Sequence, residues 1–118
     1  MDLVKTNFMM ADEYITMVRG DTLSFGLEVK DQDGGPINLS SAYFTCKQNY
    51  SDGVYVFLKR LGNGITKSEA GKYVVRLAPE DTKTVEPGRY FYDLQIGVAE
   101  DVYTVLKGVI EIQMDVTV

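Results

Sequence analysis

The sequence of 118 residues contains no histidine, no tryptophan and a single cysteine, Cys46. Because histidine is the commonest general base, its absence excludes serine–histidine and cysteine–histidine catalysis within this chain. A lone cysteine forms no internal disulfide, so the fold does not depend on an oxidising compartment. Zinc sites built from histidine or cysteine clusters are excluded as well. We therefore expect no catalytic residues, no metal site and no cofactor, and an enzyme is the least expected class of protein.

Long apolar runs and an excess of positive charge are also missing. The longest apolar stretches are a few residues, too short to span a membrane, and residues 1–5 show no basic region followed by an apolar run, as a secretory signal would. Twelve basic residues against seventeen acidic ones give a net charge of −5. Because nucleic-acid binding needs a basic face, we expect neither a nucleic acid nor a membrane as partner.

Short alternating segments are what the sequence does contain. Apolar residues recur at every second position over 22–30, 72–77, 90–98 and 102–116, and turns rich in glycine and aspartate separate these segments. Period-two alternation is typical of half-buried strands. The pattern predicts an all-β fold, an antiparallel immunoglobulin-like β-sandwich of about seven to nine strands. We assign residues 13–118 to this domain and residues 1–12 to either an N-terminal arm or a first strand.

Two local features refine this prediction. The last segment is long for one strand, and Gly108 is the position where we expect a bulge or bend to divide it. Pro87 and Gly88 form a turn just before Tyr90, which is similar to the tyrosine corner of immunoglobulin-like domains, where the hydroxyl bonds back to nearby backbone. Pro79 followed by acidic residues suits a single helical turn.

Several motifs that resemble functional sites are interpreted as structural. Arg19-Gly20-Asp21 and Asp31-Gln32-Asp33-Gly34 are interpreted as turns rather than as an integrin motif and a calcium loop. Residues 62–68 lack the glycine before lysine and the helix that a phosphate-binding loop requires. Cys46 is expected to be buried filler.

Tyrosines and carboxylates leave two further possibilities open. Of the eight tyrosines, those at 73, 90 and 92 fall on apolar faces, whereas an exposed sugar-binding platform would draw on Tyr43, Tyr50, Tyr55 and Tyr103. Asp93 and Glu111 are candidates for a pair across neighbouring strands, although spacing alone does not identify a catalytic pair.

The order of the motifs resembles a known group of proteins. The segments are VRGDTLSF at 18–25, VKDQDGGPINLS at 29–40, GKYVVRL at 71–77, PEDT at 79–82, PGRYFYDLQI at 87–96, YTVLKG at 103–108 and DVT at 115–117. Together they resemble the small β-sandwich domain of tailed-phage and prophage structural proteins, similar to the N-terminal domain of upper baseplate proteins. The resemblance covers about residues 14 to 117.

The resemblance implies a structural subunit of a phage or prophage virion, in the tail, baseplate or neck. Such a protein is assembled in the bacterial cytoplasm, contacts other virion proteins and forms homo-oligomers, and the family implies no catalytic residues. A receptor-binding baseplate protein would be longer, so a connector or accessory subunit is the expectation. Two alternatives stay open: a carbohydrate-binding β-sandwich module and a bacterial surface immunoglobulin-like domain.

Overall fold

The structure is a computed structural model and describes residues 5–6 and 14–116. This part of the chain forms nine strands: β1 (Lys5–Thr6), β2 (Ile15–Val18), β3 (Leu23–Lys30), β4 (Ser41–Lys47), β5 (Phe57–Leu61), β6 (Gly64–Glu69), β7 (Lys72–Leu77), β8 (Gly88–Val98) and β9 (Asp101–Gln113). One helical turn, α1 (Pro79–Thr82), connects β7 to β8. In the described ranges, no helix has the length and apolarity needed to cross a membrane.

All nine strands belong to one mixed sheet, in the order β1-β3-β7-β6-β5-β4-β8-β9-β2. The all-β prediction is confirmed, but the purely antiparallel arrangement is wrong because β2 runs parallel to β9 and β5 runs parallel to β6. Nearly the whole domain separates β2 from β9 in sequence, so no hairpin imposes an antiparallel pairing on them. Of residues 1–12, the structure describes only Lys5–Thr6, which pair antiparallel with β3.

Two glycines explain the parallel contact between β5 and β6. Gly62 and Gly64 have φ angles of 92° and 97°, a left-handed conformation that side chains with a Cβ rarely adopt. The chain therefore turns within two residues, and only Arg60–Gly64 and Leu61–Ile65 are paired before the strands diverge. This bend is where the sheet turns over on itself.

Contacts across the interior show that the folded sheet forms two layers. Phe25 on β3 and Phe44 on β4 meet edge to face with ring centroids 5.5 Å apart. Four inter-strand spacings separate β3 from β4 in the sheet, roughly 19 Å if the sheet were flat. The layer β1-β3-β7-β6 therefore faces the layer β5-β4-β8-β9-β2 as a sandwich.

The core lies between these layers and follows the alternation seen in the sequence. Phe44 is fully buried and also contacts the rings of Phe57 and Tyr92, at 6.1 and 5.4 Å between centroids. Tyr73, Tyr90 and Tyr92 are buried as the alternation predicts. The Tyr90 hydroxyl donates to the carbonyl oxygen of Glu86 at 2.5 Å, the hydrogen bond expected at a tyrosine corner after Pro87 and Gly88.

The bulge predicted at Gly108 lies elsewhere. Strand β9 runs unbroken through Gly108, which pairs with Tyr92, and the register shifts where Leu94 pairs with Leu106 and Gln95 with Thr104. Val105 is therefore the extra residue. An ordinary residue can occupy such a bulge because one common type keeps its backbone near the right-handed helical region. The shift reverses the inward positions, so Val102 is exposed whereas Tyr103 packs against the core.

Candidate binding face

The outer side of the layer β5-β4-β8-β9-β2 is the candidate binding face, and we name it the tyrosine face. Because strand side chains alternate, burying Tyr90, Tyr92 and Leu94 on β8 turns the intervening residues outward. These outward residues are Arg89, Phe91, Asp93 and Gln95. The face is thus a direct consequence of how the core is packed.

Strand register places the neighbours of these β8 residues. Strand β4 sets Lys47 beside Phe91, Thr45 beside Asp93 and Tyr43 beside Gln95. On the other side, β9 sets Val109 beside Phe91 and Lys107 beside Asp93. This register places the aromatic ring of Phe91 among the charged residues Lys47, Asp93 and Lys107.

Three tyrosines are exposed on this face. Tyr14, Tyr43 and Tyr50 are 49%, 43% and 61% exposed. The Tyr50 ring, in the loop after β4, lies against Phe91 with centroids 4.3 Å apart and a tilt of 31°. Of the tyrosines that the sequence left unplaced, Tyr43 and Tyr50 therefore belong to one face, Tyr55 is exposed in the same loop, and Tyr103 is partly buried.

A shallow pocket of about 190 Å³ lies between β4 and β8, and we name it the Asp93 pocket. The residues that line it are Thr45, Lys47, Tyr50, Phe91, Tyr92, Asp93 and Gln95. Burial raises the pKa of the Asp93 carboxyl above its ordinary value, while the charge of Lys47 acts to lower it. Sequence reasoning missed this pocket, because the ring of Tyr50 comes from a loop whose path the alternation does not fix.

The carboxylates of Asp93 and Glu111 are not paired with each other. Asp93 lies opposite Thr45 and Lys107, whereas Glu111 lies opposite Arg89 on β8 and Thr16 on β2. The Tyr14 hydroxyl donates to Glu111 Oε1 at 2.5 Å, and this hydrogen bond raises the pKa of Tyr14. The cross-strand pairing considered from the sequence is therefore wrong.

The remaining motifs are structural turns. Arg19 contacts Asp115, with Nη2 and Oδ1 2.9 Å apart, and the Gly20 amide donates to the Thr82 hydroxyl at 2.8 Å. Asp31 Oδ1 accepts hydrogen bonds from the amides of Asp33 and Gly35, at 2.9 and 2.8 Å. Within the described residues, no group of three or more cysteine, aspartate or glutamate side chains is arranged to hold a metal ion.

Cys46 lies on the inner side of β4. Its side chain is fully buried, and burial raises the pKa of the thiol to about 12. Because the thiolate is the reactive form, this cysteine is inert at neutral pH. The prediction that it fills the core is confirmed.

Comparisons with known proteins bear on the fold. No protein-family model matches the chain, and no curated protein matches its sequence. In structure, 96% of the chain is similar to 20% of the endo-β-1,4-mannanase from Thermotoga petrophila, with a TM-score of 0.59 and 10% identity. Murine CRIg matches with a TM-score of 0.45 and 12% identity over 96% of this chain and 97% of CRIg. The chain thus spans about a fifth of the mannanase, and this likeness is one of fold alone.

Proposed function

We propose that this chain is a non-enzymatic assembly module with an immunoglobulin-like fold, and that it serves as a structural subunit of a tailed-phage or prophage virion. The observation that carries the assembly role is the tyrosine face, which gathers exposed Tyr14, Tyr43 and Tyr50 with Arg60 and Arg89 on one side of the sandwich. Tyrosine and arginine are the residues most enriched in protein–protein interfaces and their hot spots.

The size of the face suits a stable contact. Five strands and the eleven residues of β8 give an area of roughly 700 Å², since strands lie about 4.8 Å apart and rise about 3.4 Å per residue. One side of a standard protein interface buries about 800 Å². A single face of this domain is thus large enough to hold a neighbouring subunit.

The immunoglobulin-like assignment has two supports. The first is the hydrogen bond from Tyr90 to Glu86, which fixes the start of β8 as a tyrosine corner does. The second is the division of the strands into two facing layers, with β4, β8 and β9 adjacent in one of them. The virion assignment is supported by the order of the sequence motifs between residues 18 and 117. Under this proposal the protein is part of the particle and contacts other virion proteins.

A carbohydrate-binding module is the second candidate, favoured by the three exposed tyrosines on one face. Aromatic rings stack on sugar rings, and one of the structural neighbours is a mannanase. That enzyme's fold alone is shared, so its substrate does not carry over. Saturable binding of mannan that is lost in Tyr43→Ala and in Tyr50→Ala would favour this candidate.

Light scattering after size exclusion tests the assembly role. We expect the mass to rise from 13.2 kDa to a fixed multiple as the concentration increases from micromolar to millimolar, or on coexpression with the products of adjacent reading frames. Tyr43→Glu should prevent the increase because it replaces an exposed aromatic ring of the face with a charge. Ser24→Glu, on the outer side of β3, is the matched control. A strict monomer that also binds no neighbouring gene product would contradict the proposal.

A further inference from the structure

The Asp93 carboxylate is a partly buried charge on the tyrosine face. Among the described residues it has no hydrogen bond and no ion pair, and Lys47 acts on it only from beyond ion-pair distance. Partial burial removes some of its water without supplying a protein partner. A buried charge without a partner is unfavourable, and a cationic group from outside would relieve that cost.

Beside this carboxylate lies a stacked aromatic pair. Phe91 precedes Asp93 by two residues on the same side of β8, and Tyr50 covers Phe91 while remaining 61% exposed. Aromatic faces attract cations, and a guanidinium group stacks on them while it donates two parallel hydrogen bonds to a carboxylate. An ammonium group is more strongly hydrated and cannot stack in this way.

We propose that the Asp93 pocket receives an arginine side chain of a partner protein, with the guanidinium group between the Asp93 carboxylate and the Tyr50–Phe91 pair. The inference rests on the proposed assembly role, because it names the chemistry by which the tyrosine face recognises its neighbour. Thr45 and Gln95 flank the carboxylate and offer oxygen acceptors for the remaining N–H groups.

Two lysines limit how tightly a single arginine binds. Lys47 on β4 and Lys107 on β9 are the charged residues that flank Asp93 from the neighbouring strands. Their positive charges oppose a cationic guest, so the isolated side chain should bind with a dissociation constant on the order of millimolar. The rest of an interface would supply the remaining affinity and would also select partners that position arginine correctly.

NMR titration of the isolated domain with N-acetyl-arginine amide tests this inference. We expect saturable shifts of the Thr45, Asp93 and Gln95 amides, with N-acetyl-lysine amide binding several-fold more weakly at equal ionic strength. Asp93→Asn should weaken arginine binding by at least about tenfold, since a charge-assisted pair is lost. Tyr50→Ala, in an exposed loop, should weaken it by a smaller factor, and Glu111→Gln on the same face should leave it unchanged.

Three results would overturn the inference. These are no saturable shift with arginine, equal weakening by Asp93→Asn and Glu111→Gln, and shifts of the same amides by methyl mannoside but not by arginine. The titration needs no partner protein, so its outcome is independent of the light-scattering experiment. Arginine binding to a strict monomer would support the arginine pocket and contradict the assembly role. An oligomer that binds no arginine and that Asp93→Asn leaves intact would support the assembly role and contradict the arginine pocket.

Discussion

The two outer faces of the sandwich differ in what they leave unsatisfied. The tyrosine face presents Tyr43, Tyr50 and the partly buried Asp93, which has no ion pair among the described residues. The opposite face, formed by β3, β7 and β6, presents small side chains such as Ser24 and Thr66, and its carboxylates Glu28 and Glu69 each contact a lysine of the same face. Lys30 Nζ lies 3.5 Å from Glu28 Oε2, and Lys72 Nζ lies 3.1 Å from Glu69 Oε1.

This difference is the reason for proposing the tyrosine face, and not the opposite face, as the binding surface. Both faces are outward sides of strands whose inward sides build the same core, so folding does not require them to differ. Exposed aromatic rings and a carboxylate without a partner reduce solubility and stability, and a fold gains nothing from them in isolation. Their concentration on one face is the basis of our proposal that another molecule completes this surface.

The largest effect is expected from a substitution in the core, on which both faces are built. Phe44→Ala should lower the free energy of unfolding by about 3–5 kcal/mol, because the deleted ring leaves a cavity between the layers. Phe44 is fully buried and contacts Phe25 across the interior. Guanidinium chloride denaturation followed by circular dichroism measures the loss.

The neighbouring residue provides the control for this prediction. Tyr43 precedes Phe44 on β4 but points outward and is 43% exposed. Tyr43→Ala should cost about 1 kcal/mol, since nearly half of this residue stays in water in the folded state and its removal leaves no enclosed cavity. Equal losses at the two positions would show that the division into core and face is wrong.

A smaller effect is expected at the start of β8, whose alternating side chains supply both the core and the tyrosine face. Tyr90→Phe should lower the free energy of unfolding by about 1 kcal/mol, because the hydrogen bond to Glu86 is lost while the ring remains. Tyr50→Phe is the control, because it also removes a phenolic hydroxyl but from an exposed ring. It should be neutral in the same denaturation assay. A neutral Tyr90→Phe would mean that the turn at Pro87 and Gly88 holds β8 without the tyrosine.

The sequence was sufficient for the parts of the fold that depend on local alternation. The inward positions of β3, β7 and β8 follow from period two, and the tyrosine corner follows from a turn next to a strand start. The bulge could not be located, because the extra residue at Val105 depends on how β9 twists against β8 and no glycine is required there. The parallel contacts depend on which distant strands meet at an edge, which alternation does not encode.

The candidate site was predictable only in part. The outward position of Asp93 follows from the alternation on β8, whereas the sequence left Tyr43 and Tyr50 unplaced. Their association with Phe91 and Lys47 depends on the register between β4 and β8, which spans more than 40 residues of chain. A pairing of Asp93 with Glu111 could only be considered and not tested from the sequence, because spacing within a strand carries no information about the neighbouring strand.

Most substitutions lower the free energy of unfolding, whereas replacing the Asp93 carboxylate should raise it. The pKa of Asp93 is raised in the folded protein, so its ionised form disfavours folding at neutral pH. Asp93→Asn should therefore slightly increase the free energy of unfolding at about pH 7, and the gain should shrink as the pH falls to about 4, where the unfolded carboxyl begins to be protonated as well. Denaturation midpoints at the two pH values measure this. A loss of stability at neutral pH would mean that the carboxylate has a partner within the domain.

The smallest effect is expected from the corresponding change on the opposite face. Glu69→Gln removes one carboxylate, as Asp93→Asn does, but Glu69 is 66% exposed and contacts Lys72. Solvent screens such a pair, so the denaturation midpoint and the arginine titration should both stay unchanged. If Glu69→Gln stabilised the protein as much as Asp93→Asn, the gain would reflect relief of the net charge of −5 rather than burial at Asp93. The two faces would then no longer differ in the burial cost of a carboxylate, and only the exposed aromatic rings would still distinguish them.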